Sequence, residues 1–122
     1  MCAILRTFKP MRIILLVAFL MGLLETASAE VVFDDGNSLH AQCQIETSIS
    51  NGYCLGYVAA VADAMVDKRT LSGRQACLPR GAMRGQAMDV VKAWLTKHPE
   101  KRHFEAWGLV ARALSEAWPC PK

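Results

Sequence analysis

The chain has no glycine-rich run to cradle a phosphate, no Cys-x-x-Cys pair, no nucleophile-elbow context around a serine and no internal repeat. These absences remove loop-bound nucleotide chemistry, close-spaced zinc or dithiol sites and elbow-type serine hydrolysis. Ser48, Ser50, Ser72 and Ser115 are read as ordinary polar residues. Histidine is scarce, with only His40, His98 and His103. His98 and His103 stand five apart with Pro99 between them, whereas two metal ligands on one helix face sit three or four apart. His98 is expected as a helix cap and His103 as a half-buried polar residue. Asp63, Asp67 and Asp89 are accounted for by solvated faces and helix ends. No alternation of the β kind appears beyond Val31–Phe33. Nothing in the composition asks for a cofactor or a metal, and the residues describe an exported binding or structural domain, not an enzyme.

What is present begins with an address. Arg6, Lys9 and Arg12 precede a charge-free stretch from Ile13 to Leu24, and Ala27-Ser28-Ala29 follows as a small-x-small cleavage pattern. That order is a secretory signal peptide over residues 1–29, cut after Ala29. The apolar run is short for a membrane span, which needs about 20 residues, so no membrane attachment is expected after cleavage. Residues 30–122 then form one small domain with 11 Lys and Arg against 10 Asp and Glu. Charges so nearly balanced argue against nucleic acid as a partner.

Cys2 leaves with the leader, and Cys43, Cys54, Cys77 and Cys120 remain. An even number of cysteines in a small exported domain reads as two disulfides. A domain of this size buries a marginal core, so such links matter to whether it folds.

The periodicity predicts four helices. Asn37 or Ser38 caps the first, over about 38–49, and Ser50-Asn51-Gly52 reads as a turn. The second runs from Tyr53 to Val66, with Cys54, Tyr57, Val58, Val61, Ala62 and Met65 on one face. Gly56, Ala59, Ala60, Ala62 and Ala64 are small enough for another helix to approach closely. Asp67–Arg80 is the longest connection, polar and holding Gly73 and Pro79. The third helix spans about Ala82–Lys97, with Met83, Ala87, Val90, Val91, Trp94 and Leu95 as its buried stripe. The fourth opens at His98-Pro99-Glu100, with Pro99 at its first position. It presents Trp107, Val110, Ala111, Leu114 and Trp118 as an apolar face before Pro119 stops it. Short links between helices one and two, and between three and four, predict a small antiparallel four-helix bundle, all-α in class. Of three disulfide pairings, two such hairpins favour Cys43–Cys54 with Cys77–Cys120, leaving the others, such as Cys54–Cys77, open.

Cys54/Gly56/Tyr57, then Cys77/Pro79, Gln86/Asp89/Val90/Val91, His98/Pro99/Glu100/Arg102/His103 and Pro119/Cys120 together resemble the Rap/Tai family of type VI secretion immunity proteins. The likeness covers nearly all of residues 30–122 and departs at Gly81-Ala82-Met83, where relatives often have a Val-Thr helix start. It implies a periplasmic, disulfide-bonded, all-helical protein that binds and blocks a peptidoglycan amidase injected by neighbouring cells. On that likeness, His-Pro-Glu-x-Arg-His is a fold signature for the turn into the last helix. Partner recognition is then expected in the Asp67–Ala76 loop, anchored at Cys77, with Lys68, Arg69 and Arg74 reaching a cleft of the amidase and Gly73 allowing the turn. A homodimer is left open. The alternative is a small periplasmic stress chaperone or envelope scaffold on the same bundle, with no toxin partner.

Overall fold

The computed structural model describes residues 33–122. The expected signal peptide at 1–29 lies outside them. Four helices follow in order: α1 (Gly36–Gln44), α2 (Ser48–Ala64), α3 (Arg84–Lys97) and α4 (Ala106–Ala117). Each helix packs against the other three, so the fold is all-α with a single shared core. Single 3-10 turns at Val66–Lys68 and Pro99–Lys101 lie in the connections.

Side-chain caps set where the first two helices begin. The carboxylate of Asp35 accepts the Ser38 N–H at 2.7 Å and starts α1. Ile45 turns to extended backbone (φ −82°, ψ 122°), so α1 ends at Gln44, not near residue 49. Thr47 then caps α2 by accepting the Ser50 N–H at 3.2 Å. Ser50-Asn51-Gly52 is therefore the first part of α2 and not a turn. The reversal uses only Ile45–Thr47, because an extended residue followed by an N-cap threonine satisfies the helix ends in fewer residues.

α3 begins at Arg84, two residues later than the periodicity predicts. Gln86 reaches back to the Met83 N–H at 2.9 Å, one half of a capping box. Met83 supplies no side-chain acceptor for the other half, and it is 66% exposed instead of joining the core. Val90 is only half-buried.

The largest departure is at α4, which opens at Ala106 and not at His98. His98 ends α3, and Pro99 begins a single 3-10 turn. The Arg102 guanidinium then donates to the Leu95 and Thr96 carbonyls, at 2.7 and 3.2 Å. His-Pro-Glu-x-Arg-His is thus a device that satisfies the orphan carbonyls ending α3. The chain entering α1 crosses this turn. Gly36 N–H donates to the Phe104 carbonyl, Asn37 N–H to the Arg102 carbonyl and Ala106 N–H to the Asp34 carbonyl, at 2.9 to 3.0 Å. A Cβ on Gly36 would lie 2.4 Å from Leu109 Cδ1 and 2.8 Å from the Arg102 backbone, so this crossing requires glycine.

The core is built from Leu39 and Cys43 of α1, Cys54, Val58 and Val61 of α2, Val91, Trp94 and Leu95 of α3, and Leu109, Val110 and Leu114 of α4. Cys43 is bonded to Cys54 and Cys77 to Cys120, the pairing favoured from the hairpins. Two expectations about faces fail. Trp107 is 38% exposed, because Ala106, Leu109, Val110, Ala113 and Leu114 already fill the inner side of α4. Gly56, Ala60 and Ala64 lie on the exposed side of α2, where no other helix of the described residues covers them.

Candidate partner-binding site

The connection from Asp67 to Ala76 is a compact hairpin. Asp67 and Lys68 both take left-handed backbone, with φ of 57° and 59°. That conformation is uncommon for residues bearing a Cβ and reverses the chain directly after α2. Gln75 Nε2 donates to the Lys68 carbonyl at 2.6 Å and lies 3.3 Å from Thr70 Oγ1, which closes the base. Leu71 and Arg74 exchange both backbone hydrogen bonds at 2.9 Å around Ser72 (φ 51°) and Gly73 (φ 68°). Two left-handed residues between paired neighbours make the two-residue turn that suits strand twist.

The hairpin is fastened to the bundle along its length. Leu71 packs on the core and Ala76 is buried. Cys77 N–H donates to the Trp118 carbonyl at 2.8 Å, beside the bond to Cys120. Ser72 rests on α4 at Gly108, its Oγ 3.4 Å from where a Cβ on that glycine would stand.

Of the four expected contact residues, Lys68, Arg69 and Gly73 are exposed, whereas Arg74 is half-buried. It lines a cleft of about 210 Å3 with Ser72, Phe104, Glu105 and Arg112. On the other side of Leu71 a shallow apolar depression of about 270 Å3 is formed with Tyr57, Ala60, Ala64 and Trp107. The hairpin tip therefore stands between a charged cleft and an apolar one.

Tyr53 donates its hydroxyl to Asp34 Oδ2, and Ser38 donates to Asp34 Oδ1 at 2.7 Å. That bond to a carboxylate, with burial, pushes the Tyr53 phenol up to about 12. Burial, with the Asp34 charge, also raises Tyr57. Burial, with the Arg102 charge, lowers His40. Each shift favours the neutral form of its side chain.

His98 stacks on Trp94 with ring centroids 4.2 Å apart, and its Nδ1 lies 2.8 Å from the Trp94 carbonyl oxygen. His103 is exposed, not half-buried, and lies against Phe104 at 4.0 Å. The two histidines thus have separate neighbours. Among the described residues no group of three or more His, Cys, Asp or Glu side chains is placed to hold a metal. Nor is any helix among them long and apolar enough to cross a membrane.

Phe104, Glu105, Gly108 and Arg112 escaped sequence reasoning. The Ser72-Gly73 dipeptide signals a tight turn, but nothing local to it indicates that the turn lies down on α4.

Comparison with curated proteins and with solved structures yields no match. Residues 35–120, more than two thirds of the chain, match the family described as Rap1a immunity proteins. The matched segment runs from the Asp35 cap of α1 to the disulfide partner Cys120, and so contains all four helices, the hairpin and both disulfides. A protein of this kind acts by engaging a toxin and not by catalysis, and the chain belongs to the Rap1a immunity protein family.

Proposed function

We propose that the chain is a periplasmic immunity protein that binds and inhibits a peptidoglycan amidase delivered by type VI secretion. The family supplies the toxin partner. The amidase and the secretion route rest on the resemblance in the Cys-x-Gly-Tyr, Cys-x-Pro, His-Pro-Glu-x-Arg-His and Pro-Cys elements. Two disulfides suit an oxidising compartment, and the leader pattern at 1–29 supplies the route to it.

The observation that carries the mechanism is the hairpin held at both ends. Gln75 closes its base, the two-residue turn fixes its tip, and Cys77–Cys120 anchors its exit. A segment ordered before binding loses less entropy when it enters a groove. Lys68, Arg69 and Gly73 are its exposed contact residues, and Arg74 acts from the side.

The test is replacement of residues 68–74 by a Gly-Ser linker, with helicity and both disulfides checked. Inhibition of a type VI secreted peptidoglycan amidase, the toxin class proposed here, is then measured. Loss of inhibition with the fold retained is expected. Full inhibition by the linker variant would move the toxin-binding surface to the helices.

A further inference from the structure

We infer that the Cys77–Cys120 disulfide is a redox-sensitive latch on the hairpin, reduced by a protein dithiol ahead of Cys43–Cys54, so that the hairpin's exit is freed. The effect on inhibition rests on the hairpin's role proposed above, whereas the order of reduction does not. The two bonds stand in opposite surroundings. Cys43 and Cys54 lie within α1 and α2, 5% and 0% exposed, among core residues such as Leu39 and Val58. Cys77 and Cys120 are half-buried and lie outside the helices. A thiolate must contact the sulfur it attacks, so access sets the order. Reaching Cys43–Cys54 requires α1 to part from α2, whereas Cys77–Cys120 needs only local opening.

Cys77 is the side from which the bond is reached. It lines an open cleft of about 430 Å3 with Met65, Val66 and Leu78. Lys68 and Arg80 at this cleft are matched by Asp63 and Asp67, so charge neither draws nor bars an attacking thiolate. Cys120 is the leaving partner. α4 ends at Ala117, and the Trp118 carbonyl accepts the Cys77 N–H at 2.8 Å. Among the described residues no backbone hydrogen bond holds residues 119–122, so Cys120 can withdraw without disturbing a helix.

The exchange balances with the dithiol as sole reductant. One of its thiolates attacks Cys77 Sγ and forms a mixed disulfide. The Cys77–Cys120 bond breaks, and Cys120 leaves as a thiolate that takes a proton from water. The second thiol of the reductant, deprotonated, attacks the reductant's own sulfur in that mixed disulfide and expels Cys77. The reductant ends as a disulfide, and Cys77 and Cys120 have gained two electrons and two protons. The hairpin keeps the Gln75 bond to the Lys68 carbonyl and Leu71 on the core, but its exit is no longer tied to the residues after α4. A segment ordered beforehand becomes one that binding has to order, which weakens inhibition.

The test uses disulfide-bonded protein spanning residues 30–122. Dithiothreitol is added, free thiols are trapped with N-ethylmaleimide at successive times, and the labelled cysteines are identified by peptide mass. Cys77 and Cys120 should be labelled at least about tenfold sooner than Cys43 and Cys54. Glutathione in place of the dithiol should leave its adduct on Cys77. While only Cys77 and Cys120 carry label, circular dichroism should show the helices retained. Half-inhibition of the amidase should then need about tenfold more protein, and Cys77→Ser/Cys120→Ser should inhibit as weakly. Equal labelling rates, earlier labelling of Cys43 and Cys54, a glutathione adduct on Cys120, or helicity lost with the first pair would each overturn the proposal. If the 68–74 linker variant loses inhibition while the protein reduced at Cys77–Cys120 keeps it, the latch falls and the hairpin's role stands. If the linker variant inhibits fully, the hairpin's role falls, and the order of reduction is decided by the labelling alone.

Discussion

The indole N–H of Trp94 donates to Glu116 Oε2 at 2.7 Å, and the Arg112 guanidinium donates to Oε1 of the same carboxylate at 2.9 Å. One side chain of α4 thus satisfies a buried donor of α3 and holds the arginine of the cleft. The Arg112 hydrogen bond, foremost, keeps the Glu116 carboxyl below its ordinary range, with the Trp94 bond adding to it against a smaller opposing effect of burial. A carboxyl with a depressed folded-state pKa contributes stability above its unfolded value and loses it as pH falls through the folded one. Stability measured by urea unfolding should therefore fall as pH drops below about 4.3, the ordinary glutamate value, and Glu116→Gln should flatten that fall. The effect is modest because the side chain is partly exposed. At neutral pH, Glu116→Ala should cost about 1 kcal/mol, the loss of a typical hydrogen bond.

The two tryptophans of the α3–α4 pair should respond differently. Trp94→Ala empties a core position and should cost about 3–5 kcal/mol. Trp107→Ala removes a ring already 38% exposed and should cost under about 2 kcal/mol, since burial of an aromatic contributes roughly in proportion to its hidden area. Thermal or urea unfolding distinguishes the two, and equal losses would mean that Trp107 is buried after all.

Two glycine-to-alanine changes should have opposite signs. Gly36→Ala places a Cβ within 2.8 Å of the Arg102 backbone, where no flexible side chain can yield. It should destabilise the protein by at least about 1–3 kcal/mol, as overpacking does. Gly108→Ala puts its Cβ at 3.4 Å from Ser72 Oγ, an ordinary contact, in the interior of α4. It should stabilise by about 0.5–1 kcal/mol through helix propensity. A lower melting temperature for Gly108→Ala would show that the hairpin needs a closer seat.

Met83→Ser should stabilise. Gln86 already makes its half of a capping box at the start of α3, and serine would supply the missing acceptor. A gain of about 0.5–1 kcal/mol in chemical denaturation is expected. The exposed methionine gives up little burial in exchange.

Each disulfide can be removed separately. In the chain-entropy view, losing Cys43–Cys54 should cost about 3 kcal/mol and losing Cys77–Cys120 about 4 kcal/mol. Their sequence separations are 11 and 43 residues. Hydrogen exchange should show the 69–76 segment loosened by Cys77→Ser/Cys120→Ser, whereas Cys43→Ser/Cys54→Ser should loosen the α1–α2 end.

The sequence by itself determined the four helices, most of the buried stripes of α2 and α3, and the disulfide pairing that two helical hairpins favour. These follow from local physics: apolar residues at three- and four-residue steps, and cysteines brought together by a short reversal. Tertiary structure decided what depends on competition between distant groups. Thr47 and Ile45 took the reversal from Ser50-Asn51-Gly52 because the cap and the extended residue satisfy both helix ends. The start of α4 moved to Ala106 because Arg102 is used on the carbonyls of α3 and Gly36 crosses the turn that follows. Trp107 faces outward because smaller side chains had already filled the inner side of α4. Arg74 and Arg112 line one cleft because Ser72 finds a seat at Gly108. The spacing of residues in the chain carries helices and links, whereas a cleft joining positions 72–74 to 104–112 exists only once the bundle has set where α4 lies.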